Sequence, residues 1–481
     1  MSVLLVLSAL VAALIGFTFL RVLWPDSVAY RPCRPVVAAL GVGIGLGITS
    51  LGLSIWLLLA GSASRGLIVA EVGLLAALSI WVILRQSRRP PVQALERPAL
   101  APLGVWNRPV AVAFAVTVCC AVAAFIGLSL SQPHGGWDAW MDWNLRARLI
   151  FRSGLEWRDA FSTLLPWSHP DYPLLVQASV VRSWVYRGGE TLAGPALLAG
   201  LFTFATTALA ACAVAALRGW TQGMIAGLVL LATPFFIFHG ASQYGDVPIG
   251  FFFLATVVLL ALHDRHGEQS GVFAGLAGLT VGLAAWTKNE GLLFLAALVG
   301  GWAAAGLRAG LGREMLREAR SFALGLLPML LVIAYFKLAF APPNDLMTAA
   351  RGGEMLDWVR DPRRYTLVAQ AFTTQIAAFG FNGLVGTVWL LIIYGICVGV
   401  AREEARRRWV FMTGASLTLM LAGHAMVFVA TAEDVARLLN SSLERLLLQL
   451  WPTFVFTWFV VLATPEEAAR RAAEKAAALA S

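Results

Sequence analysis

Charge is scarce in this sequence. Of its 481 residues, 13% are Asp, Glu, Lys or Arg, about half of the roughly 25% that a soluble globular domain carries. That shortage excludes an ordinary water-soluble fold. Cysteine is scarcer still: the five present, Cys33, Cys119, Cys120, Cys212 and Cys397, fall mostly within apolar runs and show no metal-ligand spacing. They offer neither a zinc motif nor a disulfide framework. The short alternating segments of a transmembrane β-barrel are missing too, and no internal repeat is evident. No basic segment precedes the first apolar run, "VLLVLSALVAALIGFTFL", so a retained span is expected there rather than a cleaved signal.

Apolar residues fill the space that charge leaves. They make up 59% of the chain, mean hydropathy is +0.75, and runs of about 20 residues recur from end to end, the length a bilayer core demands. The expectation is an all-α polytopic membrane protein with about 13 transmembrane helices. They are placed at 3–23, 36–60, 66–84, 109–131, 191–217, 222–239, 248–262, 270–287, 290–306, 321–340, 379–400, 409–430 and 446–463. The net charge of +9 follows from arginines in short loops, as the positive-inside rule predicts. No basic stripe with interleaved aromatics lies outside the membrane edges, so nucleic acid is not an expected partner.

Three basic stretches, 85–109, 308–320 and 401–409, read as cytoplasmic and agree with one another under this span count. The segment 132–190, the turns at Gln243 and Lys288, and the loops 341–378 and 431–445 then share the outer face. Within the first of these, 173–190 is apolar but short and is interrupted by Arg182. It is expected to lie along the interface. The chain divides into N-terminal spans with a basic linker (1–108), a central module (109–340), C-terminal spans with outer loops (341–463) and a charged, alanine-rich cytoplasmic tail (464–481). Glycines 41–47, "GVGIGLG", are expected to permit close helix packing.

The outer loop opens with "SQPHGGWDAWMDWNLRARLIF", 131–151. In a helix, Asp142 stands four residues before Arg146 and the two pair. Trp137 and Trp140 share a face that suits the headgroup level. An interfacial helix would account for these features, with Asp138 as an N-terminal cap. The alternative is that Asp138 is a catalytic carboxylate. In its favour, other polar groups stand at span ends on the same face: His169 and Asp171, Tyr244 and Asp246, Lys288 and Glu290, and Arg445. Ionisable residues at membrane depth are costly and default to functional candidates, although Lys288 could merely snorkel and Asp246, near Pro248, could merely cap.

The order of these motifs is an acidic loop after an early span, "HPDYPLL", an aspartate closing an outward-going helix, then "TKNEG". It resembles the GT-C superfamily of membrane glycosyltransferases, in particular bacterial relatives of protein O-mannosyltransferases and of the lipid A aminoarabinose transferase. The resemblance spans 110–291 and the "SSLERLLLQLWP" stretch. It departs from the family pattern in three places. Ala139 stands where a second acid often follows the first, His169 replaces a lysine, and Asn289 and Glu290 delay the glycine to Gly291.

The resemblance implies an inverting transfer of a sugar from a polyprenyl-phosphate donor to a lipid, glycan or protein acceptor. The active site would face the periplasm from a multi-pass protein of a bacterial inner membrane, with interfacial helices in the first outer loop. Asp138 is then the base. Lys288 and Arg445, with His169 and Arg146 behind them, meet the donor phosphate. The residues themselves offer Asp142, Asp171 and Asp246 as second acidic candidates, and Trp137, Trp140, Trp167, Tyr172, Tyr244 and Glu290 as sugar or cavity-wall candidates, with an aromatic belt at the interface as the alternative for the tryptophans. Only some members of the superfamily use a metal, so no cofactor is firmly implied, though Asp138, Asp171 and Asp246 offer oxygens to a divalent ion. The competing reading is a transporter or flippase of lipid-linked sugars. It predicts paired helix breaks and half-to-half symmetry, neither of which the sequence displays.

Overall fold

The computed structural model describes residues 2–25, 30–87, 106–266, 271–310, 312–343, 355–380 and 385–480. Of the described residues 85% are helical, and none forms a strand. In order the helices are α1 (Val3–Leu23), α2 (Tyr30–Ala60), α3 (Gly66–Ser87), α4 (Asn107–Ser131), α5 (Asn144–Arg152), α6 (Leu175–Arg187), α7 (Ala193–Arg218), α8 (Trp220–Leu231), α9 (Pro234–Ala241) and α10 (Asp246–His266). They continue with α11 (Gly271–Thr287), α12 (Glu290–Ala309), α13 (Arg313–Ala339), α14 (Met355–Arg360), α15 (Pro362–Ala378), α16 (Thr387–Val398), α17 (Arg402–Ala405), α18 (Arg408–Val429), α19 (Val435–Val461) and α20 (Pro465–Ala480).

Among the described residues, nine of these helices are long and apolar enough to cross a bilayer: α1, α2, α3, α4, α7, α10, α12, α13 and α18. A tenth crossing is formed if α8 and α9, bent by 63° at their junction, are taken together. The protein is a multi-pass membrane protein. Its sequence ends the helices by ordinary means. Ser2, Asp361 and Asp434 cap α1, α15 and α19 through their side chains, each accepting from an otherwise orphaned backbone N–H. Pro234 opens α9, where its missing N–H costs nothing.

At the centre stands α10, with 94% of its span buried, so the aspartate at its first turn belongs to the interior. Thr256 of α10 meets Thr280 of α11 at 2.9 Å between hydroxyls, a polar contact between helices that apolar packing alone would not orient. The glycine run of α2 does what its composition suggests. A Cβ on Gly45 would stand 1.9 Å from the carbonyl oxygen of Ala12 in α1, so only glycine admits this approach.

The two ends of the bundle differ in kind. At one, arginines pair with acids: Arg407 with Asp264 at 3.0 Å and with Glu404 at 2.7 Å, Arg218 with Glu467 at 2.7 Å, and Arg408 with Glu318. This is the end formed by the basic stretches at 308–320 and 401–409. The rest of the linker, 88–105, lies outside the described residues. At the other end gather the first long loop, the α9–α10 turn, the α11–α12 turn and the first half of α19.

Several expectations are corrected. The stretch 173–190 does not lie on the interface: every side chain of α6 from Leu175 to Tyr186 is buried. The charge that argued for an interface is neutralised inside. Arg182 donates to both oxygens of Glu71 in α3, at 2.7 Å each, and to the Ser8 carbonyl of α1 at 2.8 Å. The Tyr186 hydroxyl donates to Glu71 at 2.6 Å. The outer loop expected at 431–445 is shorter, because α19 begins at Val435 and carries Arg445 on a helix. The expected loop 341–378 contains α14 and α15, and 344–354 lie outside the described residues.

Among the described residues one span is broken, where α8 meets α9 at 63°, and Pro234 explains the break. The ring of Phe235 in α9 lies 6.1 Å from that of Phe379, which caps the end of α15. Gly380 follows with a φ of 67°, a left-handed conformation that ends a helix cheaply only in glycine. Residues 381–384 lie outside the described residues.

Candidate active site

A row of alternating charges lies at the end of the bundle away from the arginine pairs. Asp138, from the first long loop, pairs through Oδ2 with Nη1 of Arg445 on α19. The same Nη1 stands 3.9 Å from Oδ2 of Asp246, at the start of α10. Oδ1 of Asp246 accepts from Lys288 Nζ at 2.9 Å and from Gln449 Nε2 at 2.7 Å. Lys288, in the turn between α11 and α12, also meets Glu290 Oε1 at 2.9 Å. Residues from four distant parts of the chain thus form one continuous network of three carboxylates and two cations.

The local backbone explains how each group arrives. Asp138 does not cap a helix through its side chain. Its dihedrals are helical, and it leads into a single π-turn, Ala139–Trp143, a wide turn often found at functional sites. That turn swings Asp142 and Trp143 inward while Trp137 and Trp140 stay outside, 67% and 48% exposed. Gly245 lets the α9–α10 turn press against the loop: a Cβ there would lie 2.8 Å from the Trp143 ring and 3.2 Å from Cδ of Lys288. Among the described residues, two non-glycines hold left-handed backbone, His169 (φ 44°) and Gln243 (φ 62°). Both sit in these loops, where such strain, roughly 1–3 kcal/mol each, tends to cluster. Gln243 is held by Asn144 Nδ2, which donates to its Oε1 at 2.9 Å.

Lys288 does not snorkel; it is buried. Burial pushes its ammonium down, but the Asp246 and Glu290 carboxylates outweigh that cost and hold it above the ordinary lysine range. The Arg445 guanidinium lies over the Tyr244 ring at 5.2 Å, an attractive cation–π placement. Burial, and behind it the Asp138 charge, push the Tyr244 hydroxyl up, so it remains a proton donor. Tyr172 lies under Lys288, 5.8 Å from ammonium to ring. It is sandwiched between Trp143 and the exposed His169 ring, at 5.6 and 5.0 Å.

The remaining sequence candidates divide. Asp142 and Arg146 pair at 2.6 Å as their spacing predicts, but the pair is buried rather than interfacial. Arg146 also donates to the carbonyls of Tyr172 (2.6 Å), Ser168 (2.8 Å) and His169. Its two terminal nitrogens are occupied in pinning the 168–172 loop, which corrects its placement among phosphate ligands. Burial raises the Asp142 carboxyl to about 7, against the pull of Arg146. Asp171 joins a separate set of contacts: its Oδ2 accepts from Asn289 Nδ2 at 2.7 Å and stands 3.9 Å from Lys337 Nζ. Among the described residues, no group of three or more His, Cys, Asp or Glu side chains is placed to hold a metal ion. Trp167, 53% exposed, belongs with Trp137 and Trp140 on the rim rather than in a cavity wall.

Sequence reasoning passed over Gln449, Asn289, Trp143 and Lys337. Gln449 had a signal, since it follows Arg445 by four residues and so shares its helix face. Lys337 had one as well, a lysine inside an apolar span. Its Nζ donates to the Asp171 carbonyl at 2.6 Å and to Asn289 Oδ1 at 2.7 Å.

No family model, no curated protein and no solved structure matches this chain. The arrangement of these side chains therefore has to speak for itself.

Proposed function

We propose that the protein is a membrane glycosyltransferase that moves a sugar from a polyprenyl-phosphate donor to an acceptor hydroxyl, with inversion. The observation that carries this reading is the charge row Asp138–Arg445–Asp246–Lys288. It supplies a partly exposed carboxylate, 36% exposed at Asp138, next to fixed cations. In a single displacement the acceptor oxygen bonds to the anomeric carbon as the carbon–oxygen bond to phosphate breaks and its electron pair goes to the phosphate. Asp138 takes the acceptor proton. Arg445 holds one oxygen of Asp138 and leaves the other for that hydroxyl, within the reach general base catalysis requires.

The pairing of the cations with acids supports a specific division of labour. When Asp138 accepts the proton it loses its charge, and its hold on Arg445 weakens just as negative charge grows on the leaving phosphate. Arg445 and Lys288 then stabilise that charge, the kind of preorganised term that contributes most to such reactions. A phosphate departs without protonation, so no second acid is needed. His169, Trp137, Trp140 and Trp167 stand at the rim, where a sugar or acceptor would pass.

The arginine-rich end is read as cytoplasmic and the site as periplasmic, in a bacterial inner membrane. Thirteen crossings follow if the bent α8–α9 pair, α11, α16 and α19 are added to the nine long helices. The test is Asp138→Asn in purified protein supplied with a polyprenyl-phosphate sugar. Transfer should fall by about 10²–10⁴-fold with donor binding intact, and unchanged transfer would sink the proposal.

A second reading, a transporter or flippase of lipid-linked sugars, is favoured by the 63° break between α8 and α9, the kind of discontinuous helix that lines transport sites. It requires that the sugar–phosphate bond survive passage, so release of polyprenyl phosphate separates the two.

A further inference from the structure

Beside the charge row lies a second feature that the proposed chemistry does not use. A cavity of about 270 Å³ runs between α2 and α13, with Trp286 of α11 among its walls. Its lining is almost wholly apolar. It opens on the side of the bundle, because Ile55 of α2 and Leu331 of α13 both line it and are 52% and 62% exposed. These residues lie within apolar spans, so the opening faces lipid rather than water.

The outer end of this groove is cationic. Phe336 and Phe340 line it, and Lys337 sits between them in sequence, its side chain 28% exposed. Arg158 stands at the same end, 4.9 Å over the ring of Trp157, a lining residue, and 5.8 Å over Phe340. Among the described residues Arg158 makes no ion pair. Lys337 has the Asp171 carboxylate at 3.9 Å, longer than a close pair, while its two short bonds go to a carbonyl and an amide. An apolar slot open to lipid and headed by two cations matches an amphiphile with an anionic head.

We propose that this groove binds a long-chain lipid phosphate, with its tail along α2 and α13 and its phosphate on Lys337 and Arg158. The inference rests on the reading above for the kind of lipid, an isoprenoid phosphate; the geometry alone calls for a phosphate on an apolar tail. It assigns Lys337 a positioning role. Leu174 and Trp286 line the groove and lie two residues from Tyr172 and Lys288. Lys337 donates to Asn289, the neighbour of Lys288 in sequence, at 2.7 Å, so the cationic end of the groove adjoins the charge row.

The test measures binding alone, by calorimetry of the full chain in detergent titrated with farnesyl phosphate, farnesol or inorganic phosphate. Lys337→Gln should weaken farnesyl phosphate by about tenfold or more, the scale of a lost charged hydrogen bond, and leave farnesol unchanged. Lys337→Arg should restore most of the affinity. Val332→Trp, which fills the groove and keeps the cations, should weaken both isoprenoids. Unchanged farnesyl phosphate affinity in both Lys337→Gln and Val332→Trp overturns the proposal, as does inorganic phosphate binding as tightly as farnesyl phosphate. Should Lys337→Gln fail to fold, Val332→Trp and Lys337→Arg decide. No sugar is present in this assay. Intact binding without transfer therefore counts against the glycosyltransferase alone, and transfer without groove binding counts against the groove alone.

Discussion

Asp138 and Arg445 are separated by 307 residues of chain and share an ion pair. Arg445 also links Asp138 to Asp246, since its guanidinium faces both carboxylates. In the proposed reaction a group shared in this way ties Asp138, as base, to the cations that would meet the leaving phosphate.

The first prediction follows from that coupling. Arg445→Met should lower sugar transfer by about 10²–10³-fold, the loss expected when one preorganised cation is removed. Groups that act as a unit are strongly non-additive. Asp138→Asn/Arg445→Met should therefore be little worse than either single variant in initial-rate measurements. Additive losses would show that the two act separately.

Lys288 and Asp246 are 8% and 2% exposed. Removing one partner of a buried pair strands the other, at a cost of about 3–5 kcal/mol. Lys288→Met should accordingly lower the thermal midpoint of the detergent-solubilised protein well below wild type. Adding Asp246→Asn should recover part of the loss, because the stranded charge is then neutral. Equal midpoints for the single and double variants would contradict this account.

A parallel case tests the fold without touching the charge row. Arg182 and Glu71 are 2% and 5% exposed, and Arg182→Ala should cost about 3–5 kcal/mol. The apolar pair Arg182→Met/Glu71→Leu should come much closer to wild type in the same melting measurement. Transfer activity per folded molecule should be similar in wild type and in that apolar pair.

Asp142 makes stability depend on pH. Its carboxyl moves from an ordinary 3.8 to about 7, chiefly through burial. Between those values the folded chain binds the extra proton. The contribution of this group is therefore complete below the unfolded value and is lost as pH rises through the folded one. Across that window the wild type should lose on the order of 4 kcal/mol from this group, and Asp142→Asn should flatten the curve. A wild-type midpoint that rises from pH 4 to pH 7 relative to Asp142→Asn would refute the assignment.

Much of the architecture was legible from composition. The long apolar helices, the arginine-rich end and the gathering of Asp138, Asp246, Lys288 and Arg445 at the opposite end follow from where a chain can bear charge beside a bilayer. The fate of single charges was less legible. Arg182 read as a marker of the interface because Glu71, one acid in an otherwise apolar span, gave no hint that it would meet Arg182. The Asp142–Arg146 pair was visible in its spacing, yet nothing local told that it would be buried or that Arg146 would pin the carbonyls of the following loop.

The sequence by itself determined the class of molecule and where its long apolar helices lie, because hydrophobic transfer acts on short stretches. Only the tertiary structure decided which charges meet. Partners such as Asp138 and Arg445 arrive on separate elements, and the rotation of each helix about its axis is set by packing against neighbours rather than by its own residues. The π-turn after Asp138, the close approach at Gly245 and the burial of α6 are all consequences of that packing. Together they turn a scatter of polar residues into a single row.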